Sequence, residues 1–278
     1  MPRYDLGSAR SGRIRRTEAP PCLFCMPLIA VDQLGGPVRW TTWPAAIFVV
    51  GQGRCRDEQD CTETINPMCS PMIDRWRLIV PVKGQLTAKS RLHPPAGVAR
   101  ADLAHAFALD TITAAVAGLP AAHLVVVTSD ELTSAFVRAR GGNVVADQGE
   151  GLNPAIALGI GYVQRVLGPG PTAVLLGDIP TLRRQDLIDA LCACAAHPRA
   201  MVPDASGHGT VLLSALSPAG LDPRFGPNSA REHSRSCVRL DLDLPALRTD
   251  VDDDAALRRA ITIGVGRHTA LVLRPTQD

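Results

Sequence analysis

The chain has 278 residues, 29 Lys and Arg against 27 Asp and Glu, a formal net charge of +2 and only 4% aromatic residues. That balance leaves no broad basic footprint for nucleic acid, and the scarcity of aromatics argues against a stacking-based single-strand binder. No apolar run is long enough to span a bilayer and the N-terminus lacks a signal-peptide pattern, so a cytoplasmic protein of one or two domains, acting without membrane or nucleic acid, is expected.

The first 71 residues differ from the rest. Cys22, Cys25, Cys55, Cys61 and Cys69, five of the eight cysteines, lie there with Trp40 and Trp43, and no helical or strand period is sustained. A zinc module starting at Cys22-x-x-Cys25 would need later cysteines at a standard finger spacing, which Cys55, Cys61 and Cys69 do not supply. A disulfide-stapled extension would need an oxidising compartment. The favoured reading makes 1–71 a translated leader or disordered extension and 72–278 a single domain starting at Met72, five residues before the first good strand pattern at Arg77.

From Arg77 strand and helix patterns alternate. Leu78–Val82 reads as a buried strand, followed by a loop from Lys83 to about Pro95. Helical spacing of Leu103, Ala106, Phe107, Ile112 and Val116 predicts a helix over Ala99–Val116. A strand at Leu124–Thr128, a helix at Glu131–Ala139 and a strand at Val144–Ala146 follow. Asn153-Pro154 opens a helix to about Val166, with Asn as N-cap and Pro at the first helical position. The apolar run Thr172–Gly177 is the next strand, then a helix near Arg184–Ala195. Ala200–Pro203, Thr210–Leu213 and Val238–Leu240 are further strands, a short polar helix starts at Asn228, and Asp253 opens a final helix to about Ile261. This alternation implies an α/β domain built on a parallel sheet with right-handed crossovers.

Asp178 stands at the carboxyl end of an apolar strand, where open α/β sheets bind ligands. It could hold a metal or a polar substrate, or merely cap the next helix. Gly177 would let a ligand approach the backbone and Pro180 would stop the strand. The loop after the first strand carries Lys83, Lys89 and Arg91, cations suited to a triphosphate, although neither a Walker loop nor a dinucleotide fingerprint is present; a merely solvated basic loop is the alternative. Asp250-Val251-Asp252 reads as alternating acids at a strand end, able to share one ion with Asp178. Asp253 and Asp254 read as the charged first turn of a helix. Hard oxygen ligands favour Mg2+. Gly226-Pro227-Asn228-Ser229 reads as a turn into a helix whose first N–H groups, with Ser229 and the Thr210 hydroxyl, could hold a phosphorylated or carboxylated small molecule.

Lys83 through Leu92, Gly177-Asp178-Ile179-Pro180, Gly207-His208-Gly209-Thr210, Arg224-Phe225-Gly226-Pro227-x-Ser229 and Asp250-Val251-Asp252 together resemble the guanylyltransferases of deazaflavin coenzyme (F420) biosynthesis, in their actinobacterial branch. The resemblance spans about Arg77 to Arg267. It implies a nucleotidyltransferase-type (GT-A/Rossmann-like) α/β fold, a mixed and mostly parallel sheet flanked by helices. It also implies GTP and Mg2+, with phosphoenolpyruvate or 2-phospho-L-lactate as the three-carbon acceptor. By that resemblance Thr210, Gly226 and Ser229 bind the acceptor, Asp178, Asp250 and Asp252 bind the metal, and Lys83, Lys89 and Arg91 cover the triphosphate. For guanine selection, Asp147 or Glu150 could accept from the guanine edge, and Asn153 could serve the nucleotide or simply cap its helix. Ile179 departs from the usual Leu, and Cys192 and Cys194 match no family role. The rival readings are a nucleotidyltransferase for a sugar-phosphate or molybdopterin-type acceptor, and a non-catalytic nucleotide-binding protein. Mass spectrometry of the natively expressed protein is expected to find its N-terminus at Met72; a peptide from upstream would overturn that start.

Overall fold

The computed structural model divides the chain into two compact units, Met1–Cys61 and Thr62–Asp278, and describes residues 70–82 and 92–274. The readings of the cysteine-rich segment up to Cys69, and the loop carrying Lys83, Lys89 and Arg91, lie outside the described residues.

The described chain runs through α1 (Ser70–Ile73), β1 (Arg77–Pro81), α2 (Arg100–Gly118), β2 (Leu124–Thr128), α3 (Glu131–Arg138), β3 (Asn143–Ala146) and α4 (Leu152–Tyr162). It continues through β4 (Thr172–Leu175), α5 (Arg184–Cys194), β5 (Arg199–Pro203), β6 (Thr210–Ala215), α6 (Ser229–His233), β7 (Val238–Arg239), α7 (Pro245–Arg248), α8 (Asp254–Ile263) and α9 (Arg267–Val272). None of these helices is long and apolar enough to cross a membrane.

The strands form one sheet in the order β3-β2-β1-β4-β6-β5-β7. β1 pairs in parallel with β2 and β4, β2 with β3, and β5 with β7, whereas β6 pairs antiparallel with β4 and β5. The sheet is therefore mixed and mostly parallel, with β6 alone reversed among the described strands. Alternation alone pointed to a parallel sheet, whereas the resemblance implied the mixed, mostly parallel one that is observed. The exception has a simple cause: only residues 204–209 separate β5 from β6, too few for a crossover between parallel strands and enough for a hairpin.

Alternate residues of each strand face opposite helical layers. Leu78, Val80, Leu124, Val126 and Leu175 pack in one cluster with Ile112 of α2 and Leu187 and Leu191 of α5. Ile79, Val125, Val127 and Val174 pack in another with Ala155 and Ile156 of α4 and Ala230 of α6. Trp76 and Ile73 are buried in the first cluster, while Met72 is exposed.

Two helix boundaries differ from the sequence pattern. α4 is capped by Gly151 at φ 115°, not by Asn153, which lies inside the first turn and uses its side chain elsewhere. α8 is not the last helix. Its N-cap is Asp253, whose carboxylate accepts from the Ala256 N–H at 2.8 Å, and α9 follows it.

α9 is held by a tertiary cap. Asp110 of α2, 6% exposed, accepts from the His268 N–H and the Thr269 N–H, each at 2.9 Å. Gly266, just before α9, donates its N–H to Pro180 at 2.8 Å, and a Cβ there would stand 2.4 Å from the Asp110 carboxyl carbon. Asp110→Ala would strand two N–H donors against α2, and we expect a loss of about 2 kcal/mol in urea unfolding. An unchanged midpoint would mean that packing alone holds α9.

Candidate active site

After β3 the chain returns to lay β4 on the other side of β1. That reversal opens a crevice at the carboxyl ends of β1 and β4, the place where open α/β sheets take their ligands. The ends are very close: a Cβ on Gly177 would stand 2.8 Å from the Pro81 carbonyl oxygen and 2.9 Å from Val82 Cγ2. Gly177 is thus required by the neighbouring strand, and it also lines the crevice. A pocket of 720 Å³ opens here, with Pro81, Val82, Leu176, Gly177 and Asp178 on one side and Thr210 and 225–229 among its other lining residues.

Asp178 does not cap the following helix, because α5 starts at Arg184 with Arg183 as its N-cap. Its main chain instead receives the second acid segment: the Val251 N–H donates to the Asp178 carbonyl at 3.0 Å. Val251 is fully buried with Leu92, Leu103, Phe107 and Leu257. Asp250 and Asp252 flank it and line the same pocket as Asp178. They lie on irregular backbone, not at a strand end as the alternation had suggested; Pro245 and the short α7 occupy the chain just before them. Among the described residues no three His, Cys, Asp or Glu side chains form a ready metal cage. The donor set is a group of hard oxygens facing one open pocket. It fits a cation that takes one or two carboxylates and completes its shell with phosphate oxygens and water.

The turn 224–229 is fixed from two sides. Asn153 of α4 donates its amide to the Phe225 carbonyl and accepts from the Phe225 N–H, both at 2.9 Å. From α6, His233 Nε2 accepts from the Arg224 N–H at 2.9 Å, and its ring meets Phe225 edge-on with centroids 4.9 Å apart. Gly226 has φ 145° and Asn228 φ 58°, so the turn needs left-handed backbone that favours Gly and Asn. The sequence reading of α6 as an anion-binding helix start needs correction. The N–H groups of Ser229, Ala230 and Arg231 donate to the carbonyls of Gly226, His208 and Asn228. What this wall offers is side-chain hydroxyls: Ser229 and Thr210, both nearly buried and both lining the pocket.

The structure therefore brings Asp178, Asp250, Asp252, Thr210, Gly226 and Ser229 to one pocket. Asp147 and Glu150 line a separate pocket of 330 Å³ beside α4; Asp147 there accepts from the Gly149 N–H at 3.0 Å. Both polar atoms of the Asn153 amide are engaged by Phe225. Cys194 is a core residue whose thiol burial pushes up to about 11. Sequence reasoning missed His233, which is 1% exposed and donates toward Thr210, with Nδ1 to Oγ1 at 2.9 Å. Its only local signal was a four-residue spacing from Ser229, which places the two on one helical face.

These features define a nucleotidyltransferase-type α/β domain with a carboxylate wall and a hydroxyl wall. A family model for the MobA-like NTP transferase domain matches residues 99–244. The phosphoenolpyruvate guanylyltransferase of Streptomyces scabiei is 44% identical over 204 residues, covering 70% of this chain and 94% of that protein. That of Streptomyces coelicolor is 43% identical over 202 residues, covering 71% and 95%. Among solved structures, a nucleotidyl transferase from Methanothermobacter shares 15% identity over 68% of this chain and 98% of its own, with a TM-score of 0.46. The chain belongs to the phosphoenolpyruvate guanylyltransferase family, within the MobA-like NTP transferase domains.

Burial lowers the His233 pKa from 6.5 to about 4; Asp222 and Glu232 oppose the fall and Arg224 reinforces it. Between those values the unfolded chain binds a proton at this residue that the folded chain does not. Stability therefore falls as pH drops through that window. The loss from this residue is about 3 kcal/mol on going from neutral pH to about pH 4. Urea unfolding of His233→Gln should lack this component of the pH dependence; an identical slope in both proteins would refute it.

Proposed function

We propose that this chain joins GMP from GTP to phosphoenolpyruvate, or to the closely related 2-phospho-L-lactate, with release of pyrophosphate. The observation that carries this reading is a single pocket lined by Asp178, Asp250 and Asp252 together with the Thr210, Gly226 and Ser229 turn. The relatives' name supplies the acceptor, and the motif resemblance to the deazaflavin-coenzyme enzymes supplies the pathway.

An oxygen of the acceptor phosphate attacks the α-phosphorus of GTP, and the bond from that phosphorus to the β-phosphate oxygen breaks. The electron pair leaves with pyrophosphate. The attacking oxygen is already ionised near neutral pH, so no general base is needed. Positioning and charge neutralisation then supply most of the acceleration. Thr210 and Ser229 orient the acceptor with their hydroxyls, and Gly226 lets it approach the turn. Lys83 follows Val82, itself a pocket residue, directly in the sequence, and with Lys89 and Arg91 further along it neutralises the departing pyrophosphate. Asp178, with Asp250 or Asp252, would hold Mg2+, which when bound draws charge from the α-phosphate. Asp147, just beyond β3 at the same edge of the sheet, is suited to accept from the N–H groups of guanine. Asn153 contributes indirectly, by holding Phe225.

Asp178→Ala should lower pyrophosphate release from GTP plus phosphoenolpyruvate by at least roughly a hundredfold with an unchanged circular dichroism spectrum. The bond from Val251 to the Asp178 main chain survives that substitution. Retained turnover would remove Asp178 from the reacting centre. Wild-type assays with GTP, ATP and CTP against both acceptors should show turnover with GTP alone.

A further inference from the structure

The hydrogen bonds of His233 fix its tautomer. The Arg224 N–H is a backbone donor and can only donate, so Nε2 must accept it. A neutral imidazole then carries its proton on Nδ1. The 2.9 Å contact to Thr210 Oγ1 must run from Nδ1–H to the hydroxyl oxygen. Thr210 is at the start of β6, 2% exposed, and lines the main pocket. With its oxygen already accepting from His233, its own hydrogen is directed to a further acceptor.

We propose that His233 is a positioning residue for the acceptor: it orders the arrangement Arg224 N–H to Nε2, Nδ1–H to Thr210 Oγ1, and Thr210 O–H to an anionic oxygen of the three-carbon phosphoacid. This rests on the acceptor-binding role given to Thr210 above. The same ring holds the start of the 224–229 turn, so one side chain sets both the direction of the Thr210 hydroxyl and the place of Gly226. Protonating His233 would put a second N–H against the Arg224 N–H. The arrangement thus requires the neutral ring that its burial favours.

Two substitutions separate its two bonds. In His233→Gln the side-chain amide reaches the Nε2 position and can accept from Arg224, but nothing donates to Thr210. In His233→Asn the amide sits at the Nδ1 position and can donate to Thr210, but the Arg224 bond is lost. Pyrophosphate release by the full-length chain, with GTP and phosphoenolpyruvate each varied, should show the KM for phosphoenolpyruvate raised roughly tenfold in His233→Gln. The KM for GTP should stay unchanged, and His233→Asn should lie nearer wild type. In a Thr210→Val background, His233→Gln should have no further effect on the phosphoenolpyruvate KM. Circular dichroism and thermal melts check that each variant is folded. A phosphoenolpyruvate KM that rises in Thr210→Val but not in folded His233→Gln overturns the positioning role while leaving the role of Thr210 intact. No change in Thr210→Val overturns both. Equal rises in the KM for GTP and for phosphoenolpyruvate would show general distortion and also overturn the positioning role.

Discussion

The backbone hydrogen bond from Val251 to Asp178 sets the chemistry of the pocket. No secondary-structure element aims these acids at one another. Asp178 lies beyond the end of β4, and Asp250 and Asp252 lie on irregular chain between α7 and α8. What draws the second segment in is Val251, fully buried among Leu103, Phe107 and Leu257. Asp250 and Asp252 flank this anchored residue and line the pocket. Burying Val251 and bonding its N–H to Asp178 therefore presents Asp250 and Asp252 to the pocket. Hydrophobic burial provides the energy and the hydrogen bond provides the register.

The opposite wall is fixed by different means. β6 is reversed because the 204–209 hairpin is short, and this brings Thr210 beside the carboxyl end of β4. The Ala230 N–H bonds to the His208 carbonyl, tying that hairpin to α6. Asn153 and His233 then hold the Phe225 turn from α4 and α6. Segments distant in sequence thus meet through one main-chain bond and through buried or half-buried side chains that bond to main-chain groups of the turn.

The alternating α/β architecture was legible because buried strands such as Leu124–Thr128 and Thr172–Leu175 are unbroken apolar runs. The reversed β6 was legible too, from the length of 204–209, but the alternation rule obscured it. The significance of Asp178 could be read from its place at a strand end, while its connection to Val251 could not, since 73 residues separate them. Asn153 misled because Asn-Pro is a common helix start; here a positive-φ glycine two residues earlier takes the cap and frees the amide for Phe225. α6 misled as an anion site because its first N–H groups find carbonyls in the 204–209 hairpin and its own turn. His233 was invisible because its meaning lies in partners 9 and 23 residues away.

The charge of the pocket ties the two walls to the proposed chemistry. Its described lining includes Asp178, Asp204, Asp250 and Asp252 but no Lys or Arg. In the proposed reaction a triphosphate and a phosphorylated acid would bring further negative charge to these carboxylates. The neutral hydroxyls of Thr210 and Ser229 can orient an anion but cannot offset its charge. In the proposed reaction that balance would come from Lys83, Lys89 and Arg91, which follow Val82 in sequence, and from a divalent ion on the carboxylates. The acids that look ill-suited to phosphate would then make the proposed site depend on a metal: they would disfavour the nucleotide alone and favour it as a metal complex. The acid wall and the hydroxyl wall are thus complementary parts of one electrostatic design: in the proposed reaction the first would hold the cation and the second would orient the acceptor, and neither alone would serve both substrates.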